Sequence, residues 1–223
     1  MELIPQALVA GLNVLPTGPQ VLVNADRINR IWSELAPRYG FTALQMSPDH
    51  QSANFAGGRP EDGLTIQPPI VQVREAIRGT SEDAHARAAA MLAVVIRNLP
   101  GSQGFNLGVR HVYHAPMPSN DARSFILNQV LSHGGEDLDE LLEAAHHPWG
   151  GLKYVIPRTD GAVYTLSIEP LQADEMRSLY IDLDAQFPGP ATVDVLAARA
   201  ADAQHFITGP VDRYLDRLLQ GTP

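Results

Sequence analysis

Apolar residues along the chain repeat with a period of two in some segments and of three to four in others. The first period predicts a β-strand with one buried face, and the second predicts an amphipathic helix. Leu8, Ala10, Leu12 and Val14 alternate with other residues, so the chain is expected to begin with a strand. Proline and glycine at positions 16, 18 and 19 are expected to end that strand.

The rest of the first half predicts a helix, three strands and a second helix. The first helix is expected to start at Asn24 or Asp26, which are good N-caps, and to end at Gly40. Strands are expected at residues 41–46, 64–67 and 70–75, with a polar loop over 47–62. A capping-box type sequence at Thr80 starts the second helix, which Pro100 stops.

The second half predicts a similar order of elements. A strand at 105–114 precedes a helix that carries Phe125 and Ile126, and a short helix is expected at 137–145. Strands follow at 152–156, 163–168 and 179–187, the last with strict alternation. A long final helix is expected to start at Thr192 and to kink at Gly209 and Pro210.

These elements predict an α+β fold in which antiparallel sheets carry helices on one face. The order strand, helix, three strands, helix occurs twice, about 100 residues apart. We therefore expect two pseudo-symmetric β-α-β-β-β-α lobes, residues 1–101 and 102–223. The alternative is one α+β domain without internal symmetry.

Composition excludes several classes of function. Sixteen basic and twenty-five acidic residues give a net charge of −9, which argues against a broad nucleic-acid-binding surface. The absence of cysteine excludes disulfides, thiolate catalysis and zinc–sulfur sites. The longest apolar run, residues 88–96, is shorter than the ~20 residues of a membrane span, and no basic segment of a signal peptide opens the chain. A cytoplasmic protein without membrane or nucleic-acid partners is expected.

Histidines and glutamates suggest metal sites only weakly. His111 and His114 are three residues apart on a predicted strand, so they face opposite sides and do not chelate one metal. Glu82 with His85, and Glu143 with His146, have a spacing that di-metal helices use. Both pairs lie near helix ends, where solvated charges are the more common explanation.

Two further patterns have both a chemical and a structural interpretation. Asp182 and Asp184 share one face of the last strand, where they suit a divalent cation, an acid–base pair or a solvated surface. Gly57, Gly58 and Arg59 suit an anion held by backbone N–H groups or a flexible loop. No sequence motif of a nucleophile, a dinucleotide or a metalloprotease is present, so no cofactor and no metal is expected.

Several segments resemble an uncharacterised prokaryotic protein family that is described as sporadically distributed. The resemblance rests on the strand from Gly108 to Tyr113, the apolar-aspartate strand ending at Asp184, and the late helix with Phe206 and Ile207. Two features differ from the family pattern, namely His111 in place of an aromatic residue and the Gly-Pro pair in the late helix. The family has no established activity, so the resemblance implies a fold and nominates only Arg110, as an anion ligand or as a structural partner of Asp182 or Glu75.

The sequence favours a non-enzymatic binding, assembly or regulatory protein that acts through protein–protein contacts. A homodimer formed through sheet edges and helix stripes is expected, because apolar stripes are abundant and catalytic motifs are absent. The alternative is a small-molecule-binding protein or an unrecognised enzyme. Its pocket is expected between the sheet and the helices, with Arg110, Tyr113 and His114 as ligand-binding residues.

Overall fold

A computed structural model describes residues 1–16, 23–59, 62–99, 102–131 and 148–220. Within these residues the strands, in chain order, are β1 (Ile4–Pro16), β2 (Phe41–Met46), β3 (Ala53–Gly57), β4 (Gly63–Gln67), β5 (Ile70–Ala76), β6 (Ser102–Pro116), β7 (Leu152–Pro157), β8 (Val163–Pro170) and β9 (Ser178–Ala191). They form one sheet of order β2-β3-β4-β5-β1-β6-β9-β8-β7, and every neighbouring pair is antiparallel.

Helices cover one face of this sheet. They are α1 (Ala25–Tyr39), α2 (Ser81–Asn98), the single turn α3 (Ala122–Ser124), α4 (Leu196–Phe206) and α5 (Asp212–Leu219). π-Helical turns follow α3 at Phe125–Val130 and separate α4 from α5 at Ile207–Val211. The α+β class with an antiparallel sheet is thus confirmed.

The hydrophobic core lies between the sheet and the helices, and strand alternation decides which side chains enter it. On β9 the side chains of Leu179, Ile181 and Leu183 are fully buried, while Tyr180 and Asp182 between them are only partly buried. Successive side chains of a strand point to opposite faces, so one face of β9 is core and the other is open. This matches the alternation expected for residues 179–187.

Local capping fixes the ends of the first two helices as predicted. The Asn24 side chain accepts a hydrogen bond from the backbone N–H of Arg27 at 3.0 Å, and Gly40 has the positive φ of 71° that suits a helix end. The Thr80 hydroxyl accepts from the backbone N–H of Asp83 at 3.1 Å. Residues 64–67 and 70–75 are strands as predicted, on either side of a cis peptide bond between Pro68 and Pro69.

The polar loop expected over residues 47–62 is wrong in part, because it contains β3. This strand pairs with β2 on one side and β4 on the other, and it buries Ala53 and Phe55. Its Ala-Asn-Phe-Ala-Gly sequence has little intrinsic preference for strand. Pairing on both sides, rather than local sequence, stabilises it.

The final helix is interrupted where the sequence indicated. Pro210 has no N–H to donate, and it lies in the π-helical turn between α4 and α5. The start differs from the prediction, since a 3₁₀ turn follows Thr192 and α4 begins only at Leu196. The short helix expected at residues 137–145 lies outside the described residues.

The sheet is continuous across the middle of the chain. Strands β1 and β6 are neighbours at its centre, with Gly11 beside Gly108, and a single hydrophobic core spans both halves. The boundary expected between residues 101 and 102 falls between α2 and β6. The division into two related lobes stays a prediction.

Candidate functional site

Arg110 lies on the open face of β6 and holds a carboxylate of the same protein. Its Nε donates to Oδ1 of Asp182 at 2.8 Å and its Nη2 to Oδ2 at 2.6 Å, while the Tyr180 hydroxyl lies 3.2 Å from Nη2. This two-bond geometry raises the pKa of the Arg110 guanidinium, chiefly through the hydrogen bonds to Asp182. The sequence suggested Asp182 or Glu75 as a structural partner of Arg110, and in the structure the partner is Asp182.

The other two ligand-binding candidates lie on opposite faces of the same strand. His114 is on the open face with Arg110, and its ring centre is 6.0 Å from that of Tyr180. Tyr113 is buried on the helix side of the sheet. The backbone of β6 separates Tyr113 from Arg110 and His114, so the three side chains do not line one pocket. A ligand-binding role for any of them stays a prediction.

Replacing Arg110 with alanine is expected to lower the free energy of unfolding by about 1 kcal/mol, because partly exposed ion pairs contribute ~0.2–1 kcal/mol. Urea unfolding of Arg110→Ala, Asp182→Ala and the double variant measures the coupling between the two side chains. A coupling near zero would show that the bridge contributes nothing. A loss above roughly 3 kcal/mol is typical of a buried pair and would contradict a surface bridge.

A buried polar cluster lies beneath the sheet, between β6, α2 and α4. His111 on β6 is fully buried, and its Nε2 is 3.0 Å from the carbonyl oxygen of Ala200 on α4. Because a carbonyl only accepts, Nε2 of His111 carries the proton. His85 on α2 is also buried, with its ring centre 5.2 Å from that of His111. The sequence separated His111 from His114 correctly, but nothing in it linked His111 to His85.

Burial dominates the electrostatics of this cluster. It lowers the pKa of His111 to about 4, and the neighbouring His85 acts in the same direction. It also lowers the pKa of His85 and raises that of the Tyr113 hydroxyl. Nδ1 of His111 and Nε2 of His85 have no hydrogen-bond partner in the described part of the protein. Both imidazoles are therefore neutral near pH 7, and they contribute to packing.

The metal-site patterns do not assemble in the structure. Glu82 is exposed while His85 is buried, so this pair does not present two ligands together. Glu143 and His146 lie outside the described residues. Over residues 1–16, 23–59, 62–99, 102–131 and 148–220, no three histidine, aspartate or glutamate side chains are grouped as metal ligands.

The paired aspartates and the glycine loop also have structural roles. Asp182 is held by Arg110, and Oδ1 of Asp184 accepts from Nε2 of Gln186 at 2.6 Å. The backbone N–H of Gly57 donates to the carbonyl oxygen of Asp62 at 3.2 Å. That N–H is therefore already used within the protein.

Exposed apolar side chains gather at one edge of the sheet, in and beside β7. Of the seven large apolar side chains that are exposed in the described residues, four are Trp149, Tyr154, Val155 and Val163. We call these four residues the β7 edge surface. Val155 is 63 % exposed, the highest of the seven. Val155 and Tyr154 point to opposite faces of β7, so this edge of the sheet exposes apolar side chains on both faces.

An apolar groove of about 200 Å³ lies beside this edge, on the helix side of the sheet. The rings of Tyr154 and Tyr214, which both line the groove, pack edge to face, with their hydroxyl oxygens 2.6 Å apart. Its lining is Tyr154, Ile156, Leu166, Phe206, Pro210, Val211 and Tyr214. The groove and the β7 edge surface thus share Tyr154.

Comparisons with protein-family models and with curated protein sequences assign no function to these surfaces. None of the described helices is long and apolar enough to cross a lipid bilayer. The resemblance to the sporadically distributed family stays a prediction. No protein-family model matches the chain, and no curated protein sequence matches it either.

Proposed function

We propose that this chain is a non-enzymatic binding and assembly protein that forms a homodimer through the β7 edge surface. The observation that carries the proposal is the exposure of Val155 and Tyr154 on a strand whose outer side has no neighbour in the described sheet. An edge strand offers unpaired backbone donors and acceptors, and apolar side chains on it favour pairing with another strand.

The geometry of β7 suits a second copy of the same strand. Register with β8 places Val155 on the open face beside Thr165, and Tyr154 on the helix face beside Leu166. A two-fold axis through Val155 pairs this residue with itself and Tyr154 with Ile156 of the other copy. In this register odd-numbered residues lie opposite odd-numbered residues, and even-numbered residues lie opposite even-numbered ones. The open faces of both copies therefore lie on one side of the joined sheet, and the helix-covered faces lie on the other side.

The opposite edge of the sheet lacks this apolar character. The exposed residues of β2 are Thr42, Ala43 and Gln45, which are small or polar. Burying them removes less apolar surface from water than burying Val155 and Tyr154. The two edges therefore differ in the free energy that pairing can supply, and β7 is the favoured one.

A lysine at position 155 is expected to convert the dimer into a monomer, because it places two like charges opposite each other at the two-fold axis. Size-exclusion chromatography with light scattering is expected to give twice the chain mass of 24.2 kDa for the wild type and the single mass for Val155→Lys.

Ala43→Lys is the matched control, since it adds the same charge to the open face of the other edge strand. It is expected to remain dimeric. A wild type that stays monomeric up to roughly 100 µM would overturn the proposal. A dimer that Ala43→Lys dissociates and Val155→Lys leaves intact would place the interface elsewhere, which also overturns it.

The alternative, a small-molecule-binding protein or enzyme with its pocket near Arg110, has weaker support. Asp182 already occupies the fork of the Arg110 guanidinium, and Tyr113 lies beneath the sheet. A metabolite and metal screen by thermal shift tests it. Stabilisation by a ligand that Arg110→Ala abolishes would favour this alternative.

A further inference from the structure

The apolar groove beside β7 runs between two contacts that join the sheet to the helices. At one contact the ring of Tyr154 on β7 packs against that of Tyr214 on α5. At the other, Arg158, which directly follows β7, places its guanidinium over the ring of Phe206 on α4. Four residues of extended chain and eight residues of helix each cover about 12–13 Å, so the strand and the helices run side by side from one contact to the other.

The guanidinium of Arg158 is held at the end of this groove. Its central carbon lies 5.2 Å from the ring centres of both Tyr164 and Phe206. Phe206 lines the groove, and so does Ile156, which precedes Arg158 by two residues. Residues two apart on a strand face the same side, so Arg158 continues the groove wall that Tyr154 and Ile156 begin.

Arg158 has no acidic partner in the part of the chain that the structure describes. Asp160, in the same turn, accepts instead from Nη1 of Arg199 at 2.6 Å and from the backbone N–H of Ala162 at 3.2 Å. The Arg158 side chain is exposed, and its contacts are with the two aromatic rings. Its N–H groups, which match the two oxygens of a carboxylate, are therefore available to a ligand.

Between its two ends the groove is apolar. Its lining side chains contain only carbon and hydrogen, except for the hydroxyls of Tyr154 and Tyr214, which are hydrogen-bonded to each other. The groove volume is about 200 Å³. An apolar cavity of ~150 Å³ holds benzene, so this space suits one aromatic ring or a short alkyl chain, whereas drug-sized ligands need ~300–1,000 Å³. A second charge on the ligand would lie against carbon, which is unfavourable.

We propose that this groove binds a small monocarboxylic acid whose apolar body is the size of an aromatic ring. The body lies between the edge of the sheet and the helices, and the carboxylate binds the guanidinium of Arg158. Burial of the body removes apolar surface from water, and the single cation selects a single acid group. One chain forms the whole groove, so the inference does not rest on the homodimer.

Titration calorimetry of the full chain at constant ionic strength tests this with three probes. Phenylpropanoate carries both the ring and the acid, phenylpropanol has the same ring without the charge, and acetate has the acid without the ring. Phenylpropanoate is expected to saturate below roughly 10 mM and to bind about fivefold more tightly than either of the others. Val155→Lys is expected to bind it within about twofold of the wild type. Lack of saturation, equal affinity for the alcohol or loss of binding in Val155→Lys would each overturn the proposal.

Variants on one stretch of chain locate the acid group and the apolar body. Arg158→Gln is expected to weaken phenylpropanoate about fivefold and to leave the alcohol within about twofold. Lys153→Gln removes a charge from the open face of β7 and is the matched control, expected to bind both probes as the wild type does. Ile156→Gln makes the groove wall polar and is expected to weaken both probes. The same effect on phenylpropanoate in Arg158→Gln and Lys153→Gln, or unchanged binding in Ile156→Gln, would overturn the site.

Discussion

Unfolding in urea is expected to require about 3 kcal/mol less free energy at pH 4 than at pH 7 because of His111 alone. In the unfolded chain this imidazole takes up a proton near its usual pKa of 6.5, whereas in the folded protein the pKa is about 4. The unfolded state therefore binds more protons throughout that interval, and stability falls as the pH falls from 6.5 towards 4.

His111→Gln isolates this contribution from the carboxylates, which titrate in both proteins. Glutamine does not titrate, and its amide is able to donate to the carbonyl of Ala200. Urea unfolding between pH 7 and pH 4 is expected to show a much smaller loss of stability for His111→Gln than for the wild type. His205→Gln, which removes an exposed histidine on α4, is the control and is expected to keep the wild-type loss. Identical pH profiles for His111→Gln and the wild type would contradict the buried, neutral state of His111.

Truncation of Leu8 is expected to have a comparably large effect on stability at neutral pH. Leu8 is fully buried on β1, between β5 and β6 and beneath the helices. Leu8→Ala removes buried methyl groups and leaves a cavity in the core, which costs ~2–5 kcal/mol. Urea unfolding at pH 7 measures this loss.

Val9→Ala tests whether the loss depends on the face of the strand. Val9 is the next residue of β1, and it lies on the open face beside Arg74 and Arg110. Its truncation is expected to cost less than about 1 kcal/mol, because it buries less surface and creates no enclosed cavity. Equal losses for Leu8→Ala and Val9→Ala would mean that the open face of the sheet is covered as tightly as the core.

Most helices and strands follow from local pattern, and the exceptions have identifiable causes. The alternation in β9 and the caps at Asn24, Gly40 and Thr80 act over a few residues, so the sequence alone predicts them. The sequence does not predict strand β3, because the stability of this strand comes from pairing with β2 and β4. The start of α4 was misplaced because a 3₁₀ turn intervenes after Thr192.

The candidate site was less predictable than the fold. The sequence pointed to Arg110, Tyr113 and His114 as neighbours, but alternation along β6 puts Tyr113 on the other side of the sheet. His85 and His111 are distant in sequence, yet their ring centres are 5.2 Å apart in the core. No local motif links these two histidines, so only the assembled chain reveals their contact.

The amino-acid sequence by itself determined the α+β class, the buried faces of β1 and β9 and the interruption at Gly209 and Pro210. These features depend on side-chain periodicity and on backbone restrictions that act within a few residues. The tertiary structure decided the order of the strands, the exposure of Val155 at an edge and the contact of His85 with His111. Each of these depends on which distant segments become neighbours, and that is set by the packing of the whole sheet against its helices.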